Sequence, residues 1–357
     1  MSDLDRFETD ARMQSVFRDH YELDQEKLEA LYSKSKRHQW NAEVDVPWAE
    51  YDPEAEILDR NRDFLGRLRC VQELPETTQR RLFREAATFS ISQILHGEQA
   101  ALMVCGQLVN VVPDLDGKFA AAVQVMDEAR HVEVFARYLD RVGHRYPIDP
   151  DLHAIVAQIL AESDWEAKCV GMQVILESVA LGFFRTGAEM AREPVLRALL
   201  PRVHEDESRH VAYGVLSLEH RIPELPEDAR RRLEDLAYET VLRMGGRGGR
   251  PSFATQFRAL ERAGVEAGAF LPKFLAEVTD PAGLDLTGLE DPLSATVIPN
   301  LMRVGLVPDR HRLGYAAQGW KIDLAAGTLE DVHTWHPDTR AARAELATRG
   351  RSIARPD

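Results

Sequence analysis

Six side chains of metal-ligating type recur in this chain at one constant spacing. Glu128 and His131 stand three apart within Asp127-Glu-Ala-Arg-His131, and Glu207 and His210 stand three apart within Asp206-Glu-Ser-Arg-His210. The second phrase follows the first by 79 residues. Glu98 lies thirty residues before Glu128, and Glu177 lies thirty before Glu207. Mixed carboxylate and imidazole donors, without thiolates, suit iron or manganese better than structural zinc. Two divalent ions neutralise four clustered carboxylates; left alone, the carboxylates repel and some take up protons. The spacing therefore points to a two-metal site assembled from a duplicated unit.

A single Glu-x-x-His carries little weight, and the tail holds another, Glu330 to His333, with no partner at the right distance. The competing reading of the paired phrases is two solvent-facing helix surfaces laced with ion pairs. The neighbours argue against it. Glu98 precedes Ala100-Ala-Leu-Met-Val104, and Glu177 sits inside Val174-Ile-Leu-Glu-Ser-Val-Ala-Leu181. A lone carboxylate inside such apolar helices is costly.

Helices must carry these residues. Pro75 stands just outside the first, with Thr77 or Thr78 as N-cap, and the helix runs from about 78 past Glu98 to about Val111. Pro113–Gly117 breaks it. A second helix starts near Lys118 and ends near Val142-Gly143; Tyr146–Pro150 connects it to a short apolar helix, Leu152 to Leu160. Ser163-Asp164 caps a third long helix bearing Glu177, which Arg192-Glu-Pro194 interrupts. A fourth bears Glu207 and His210 and ends near Arg221-Ile-Pro223; a fifth spans about 226 to 244. Each turn is equidistant from its two glutamates, so in an antiparallel hairpin they reach one height, about 20 Å from the turn. Glutamate and histidine three apart share a face. Two such hairpins bring four carboxylates and two imidazoles to one point.

The chain divides into a helical arm (1–77), a helical bundle (78–244) and a helical to irregular extension (245–357). Trp40 and Trp48 read as residues that pack the arm onto the bundle. Gly245–Pro251 reads as a hinge, since no strand precedes it and no GK[ST] follows. Residues 252–278 look helical, 279–330 mixed, and His333 and His336 read as surface in a polar tail. The net charge of −15 argues against nucleic acid and anionic membrane as partners. No apolar run is long enough for a membrane span, and the acidic N-terminus is not a signal peptide. Cys70, Cys105 and Cys169 are scattered, as free thiols of a cytoplasmic protein are.

The order Glu98, Glu128-x-x-His131, Glu177, Glu207-x-x-His210 resembles that of the ferritin-like, ribonucleotide-reductase-small-subunit-like di-iron carboxylate proteins, over about residues 80–225. These include hydroxylases, desaturases, ligand-binding oxidases and aminobenzoate N-oxygenases. The resemblance implies an all-α fold, a ferritin-like four-helix bundle of two Glu…ExxH hairpins. It implies two Fe ions, or a Mn/Fe pair. Glu98 and Glu177 would be the single-carboxylate ligands, and His131 and His210 would bind one ion each. Asp127, Arg130, Asp206 and Arg209 would form the outer shell. It further implies an oxygenase that uses O2 to hydroxylate or N-oxygenate a small organic substrate, acting as a homodimer. With no cysteine cluster and no dinucleotide fold, the electrons would come from an external reductase or ferredoxin.

N-oxygenases carry an additional ligating histidine about one turn before the last Glu-x-x-His. His204, three residues before Glu207, is the candidate here, with an offset differing by one. Phe135 stands where a reductase subunit keeps its radical tyrosine, and no tyrosine follows Tyr315. Ala100 replaces the valine of the ligand-binding oxidases, and Leu181 the threonine of many hydroxylases. The alternatives are a reductase-type oxidase subunit and a non-enzymatic, ferritin-like iron-binding protein. Leu102, Phe135, Leu181 and Phe184 are candidates for a pocket wall, and Tyr213 reads as core.

Overall fold

In the computed structural model the segments with apolar periodicity wind into long helices, and their ends follow local capping chemistry. The structure describes residues 7–245, 254–279, 291–317, 321–323 and 328–330, other than 12, 18 and 20. Gly246–Pro251 of the expected hinge, and His333 and His336, lie outside the described residues. The main elements are α1 (Glu26–Arg37), α2 (Glu76–Val111), α3 (Leu115–Val142), α4 (Pro150–Ala161), α5 (Trp165–Met190), α6 (Pro194–Leu218), α7 (Glu227–Met244), α8 (Ala254–Ala263) and α9 (Ala267–Thr279). Among the described residues the fold is all-α apart from two short antiparallel strands, Lys321–Asp323 and Thr328–Glu330.

Several ends differ from the sequence expectation. α2 begins at Glu76 with Pro75 in the cap position, so neither Thr77 nor Thr78 caps it. The acidic Glu76 in the first turn complements the helix dipole instead. α3 starts at Leu115, earlier than Lys118, because Asp114 accepts a 2.7 Å hydrogen bond from the Gly117 amide. It stops at Gly143, whose φ of +98° is left-handed. Asp164 occupies the cap position of α5 but makes no capping hydrogen bond. Glu193 caps α6 by accepting from the amides of Val195 and Leu196, and Pro194 fills the first turn.

α2 packs along α3 and α5 along α6, the two expected hairpins, while α1 lies across α3 and α6. One apolar cluster holds Ile91 and Leu95 of α2, Val134 and Phe135 of α3, Phe184 of α5 and Leu199 and Val203 of α6. A second holds Val104 and Leu108 of α2, Ala120 and Ala121 of α3, Val170 and Val174 of α5 and Val211 and Val215 of α6. Each long helix passes from one cluster to the other at its ligand-type residues. The acidic layer is thus sandwiched between two dry cores.

α5 holds an irregularity that the sequence does not announce. Cys169–Leu176 is π-wound, with α-helix on either side. Wider i→i+5 winding shifts the phase of the helix just before Glu177. Gly214 on α6 makes room for it: a Cβ there would fall 2.4 Å from Gln173 Cβ and 3.1 Å from the Gln173 carbonyl carbon. α5 is also the one described helix long and apolar enough to cross a membrane by composition, yet 72% of that window is buried inside the bundle.

Gly214→Ala should therefore lower stability by about 1–3 kcal/mol, despite alanine's better helix propensity, because backbone as well as side chain must yield. Thermal melting of the purified variant measures it; an unchanged or raised midpoint would contradict the packing described.

Candidate metal centre

Glu98 on α2, Glu128 and His131 on α3, Glu177 on α5, and Glu207 and His210 on α6 meet in the middle of the bundle. None is more than 4% exposed. Their donor atoms form two overlapping groups. In each, the atoms lie within 4.8 Å of one another: Glu98, Glu128, His131 and Glu207 in one, and Glu128, Glu177, Glu207 and His210 in the other. Glu128 and Glu207 belong to both.

His131 Nδ1 faces three carboxylates at once: Glu98 Oε2 at 3.2 Å, Glu128 Oε2 at 3.4 Å and Glu207 Oε1 at 3.1 Å. His210 Nδ1 faces Glu128 Oε1 at 3.1 Å and Glu207 Oε2 at 3.3 Å. Glu128 Oε2 and Glu207 Oε1 are buried without a satisfied hydrogen bond. One N–H serves one acceptor well, whereas a cation collects lone pairs from every side. The residues fit two ions sharing two bridging carboxylates.

The outer nitrogens are held crosswise. His131 Nε2 donates to Asp206 Oδ2 at 3.1 Å, and His210 Nε2 donates to Asp127 Oδ2 at 3.3 Å. Each imidazole is thus oriented by the aspartate of the other hairpin, which leaves Nδ1 to point inward. Arg130 joins the two aspartates, donating to Asp127 Oδ1 at 2.6 Å and to Asp206 Oδ2 at 2.9 Å. Arg209 also donates to Asp206.

Electrostatics pull the carboxyls apart. Burial first, and the Glu207 charge second, push Glu98 well above the usual carboxyl range. Burial and then Glu207 and Glu128 do the same to Glu177. Burial opposes ionisation of Glu128 too, but His210 and His131 outweigh it and hold that carboxyl well below its usual range. Both imidazoles are raised: burial opposes their charge, but Glu98 prevails at His131 and Glu128 at His210.

The residues missed by sequence reasoning are mostly polar neighbours. Gln124, one turn before Glu128, donates to Glu128 Oε1 at 2.8 Å and to Glu177 Oε1 at 2.9 Å. Its place on the ligand face of α3 was the available signal. The arm contributes as well. Trp40 Nε1 donates to Asp206 Oδ2 at 2.7 Å, and Gln39 Nε2 donates to Asp127 Oδ1 at 2.7 Å. Arg130 donates to Gln39 Oε1 and lies 4.5 Å from the Trp40 ring centre. Trp40 packs the arm down as expected and also enters the polar shell. No spacing in the sequence links positions so far apart.

His204 lies outside both donor groups. It is half-buried and its Nδ1 is shielded without a hydrogen-bond partner, whereas Val203 beside it is fully buried in the apolar cluster. Nor is His204 at a helix end, because Pro201 lies inside α6. Of the pocket candidates, Phe135 and Phe184 are buried and stacked at 5.7 Å, while Leu102 and Leu181 are half-buried. Tyr213 is core, as expected.

The family model for p-aminobenzoate N-oxygenase AurF matches residues 22–248. The chain belongs to that family. As a member, it is an oxygen-dependent oxidoreductase of the ferritin-like dimetal class. One glutamate from each of two helices, with Glu-x-x-His from the other two, is the donor set of di-iron and di-manganese carboxylate bundles. The family match takes in the arm from residue 22 onward, including Gln39 and Trp40. Among solved structures, an R2-like ligand-binding oxidase with aerobically reconstituted metal cofactor after photoconversion is 16% identical. That match covers 82% of this chain and 99% of the other, with a TM-score of 0.41. A variant of that oxidase with an aerobically reconstituted Fe/Fe cofactor is 17% identical over the same shares, with a TM-score of 0.41. No curated protein matches the chain in sequence.

Trp40→Phe keeps a ring over Arg130 and deletes the N–H that Asp206 accepts. It should cost about 1 kcal/mol in urea unfolding of the metal-free protein, the net worth of one hydrogen bond to a charged group shared by other donors. A variant as stable as the parent would show that this bond contributes nothing.

Proposed function

We propose that this protein oxygenates the nitrogen of a small aromatic amine with O2, at a pair of ions held by Glu98, Glu128, His131, Glu177, Glu207 and His210. The observation that carries the reading is the pair of overlapping four-donor groups, within a chain of the AurF family. Glu98 and His131 would hold one ion and Glu177 and His210 the other, while Glu128 and Glu207, which belong to both donor groups, would serve both. His204 is not a ligand in this reading. When bound, an Fe/Fe or Mn/Fe pair supplies the redox chemistry that dioxygen requires.

The chain's own residues supply geometry and a dry setting. Asp127 and Asp206 fix the ring orientation of the opposite hairpin's histidine, and Arg130 and Arg209 hold those aspartates. The flanking apolar layers shield the reacting centre from bulk solvent. Phe135, stacked on Phe184, offers no O–H beside His131 to store an oxidising equivalent, which favours substrate oxidation over a reductase-type subunit. Cys70, Cys105 and Cys169 are separately buried free thiols, so electrons come from an outside donor, a reductase or a reduced ferredoxin. The bundle, 78–244, is the catalytic unit.

The test is anaerobic loading with ferrous iron, then exposure to 18O-labelled O2, a chemical reductant and a panel of aromatic amines. Label on nitrogen is expected in the product. Label on a ring carbon would replace this reading with a hydroxylase, and uptake of many irons per chain would replace it with storage. The bridging pattern makes a separate prediction. Glu128→Ala and Glu207→Ala should each lose nearly all bound iron, whereas Glu98→Ala and Glu177→Ala should each keep about one ion per chain, because only the bridging residues serve both positions. Iron quantified after desalting distinguishes the two patterns.

A further inference from the structure

The 79-residue repeat that relates the six ligands fails one to two turns away from them. Cys105, Gln124, Gln173 and Tyr213 have as counterparts Phe184, Val203, Ile94 and Val134. All four counterparts belong to, or pack against, the apolar cluster on one side of the ligand layer. The four polar residues lie toward the other side, and each is at most 2% exposed. Gln124 reaches Glu128 and Glu177, and Gln173 Nε2 donates to Cys105 Sγ at 3.3 Å. The π-wound segment and Gly214 are what bring Gln173 this close to α6. Three polar atoms here are buried without a hydrogen-bond partner among the described residues: Gln124 Oε1, Gln173 Oε1 and the Tyr213 hydroxyl. Two are acceptors, and the third can both donate and accept.

We propose that Cys105, Gln124, Gln173 and Tyr213 form a subsite for one small neutral ligand bearing O–H or N–H groups, beside the Glu177/His210 position. The Glu98/His131 position, walled by Ile94, Val134, Phe184 and Val203, has no such subsite. The inference rests on the two-metal reading above. Two donor hydrogens meet the two amide oxygens, and a lone pair meets the tyrosine hydroxyl or the ion. Water and a primary amine share that inventory. The two ion positions are therefore unlike in chemistry, although their ligands are alike.

The experiment loads the full chain with manganese(II) and measures water-proton relaxation, which reports water exchanging on the ion. The parent should show an inner-sphere contribution. Gln173→Ile and Tyr213→Phe should each lower it by about twofold or more at unchanged manganese content, since each removes a partner of the bound ligand. Aniline then separates the two sources. A fall in relaxation on adding it means the amine takes the subsite, and no change means water is the resident ligand. Relaxation at the outer-sphere level in the parent, or equal in parent and both variants, overturns the subsite while leaving the metal pair standing. A chain that takes up no manganese overturns the two-metal reading itself. Should Gln173→Ile fail to fold, Tyr213→Phe, which removes a single oxygen, decides the matter.

Discussion

Negative charge confined in a dry core is the constraint on which this structure turns. Four carboxylates share a space only a few ångströms across, between two apolar layers that keep bulk solvent away. Desolvated like charges raise one another's proton affinity. The protein answers by alternation: glutamates with imidazoles inside, then aspartates behind the imidazoles, then guanidinium groups behind the aspartates. Each shell compensates the one within it, and the arginines are nearly as buried as the ligands. Such a stack is costly unless every member has a partner. That explains why the arm, the hairpins and the π-wound turn all converge here.

Crossing is the second organising feature. Had each aspartate held its own hairpin's histidine, each hairpin could have formed half of the shell alone. Instead His131 depends on Asp206 and His210 on Asp127. Correct ligand geometry then requires correct docking of the two halves, so the polar contacts fix the register that apolar packing leaves loose.

Much of this was legible in the sequence. The meeting of the six side chains could be read because helical geometry converts spacing into position: Glu98 and Glu128 had to meet once Pro113 made a turn midway. The all-α bundle followed from the same periodicity. Helix ends were read less well. Asp114, not the predicted start near Lys118, set the first turn of α3, and Pro75 preceded α2 without any threonine cap. Contacts between elements far apart in the chain had no local signature. Trp40 meeting Asp206 depends on where α1 lies across α3 and α6, a tertiary outcome. The π winding of Cys169–Leu176 is similar, since its apolar composition is that of any buried α-helix. His204 lies outside both donor groups although it stands only three residues before Glu207.

The arm's clamp has a bearing on biogenesis. Residues 39 and 40 leave the ribosome early, yet Asp206, which Trp40 grips, is made some 166 positions later. Domains tend to fold from the N-terminus during synthesis. Here the first-made segment can meet Asp127 and Arg130 once α3 is made, but its bond to Asp206 must wait until the fourth long helix has emerged. Only then does the clamp span both halves, so its closure follows the docking of the second hairpin.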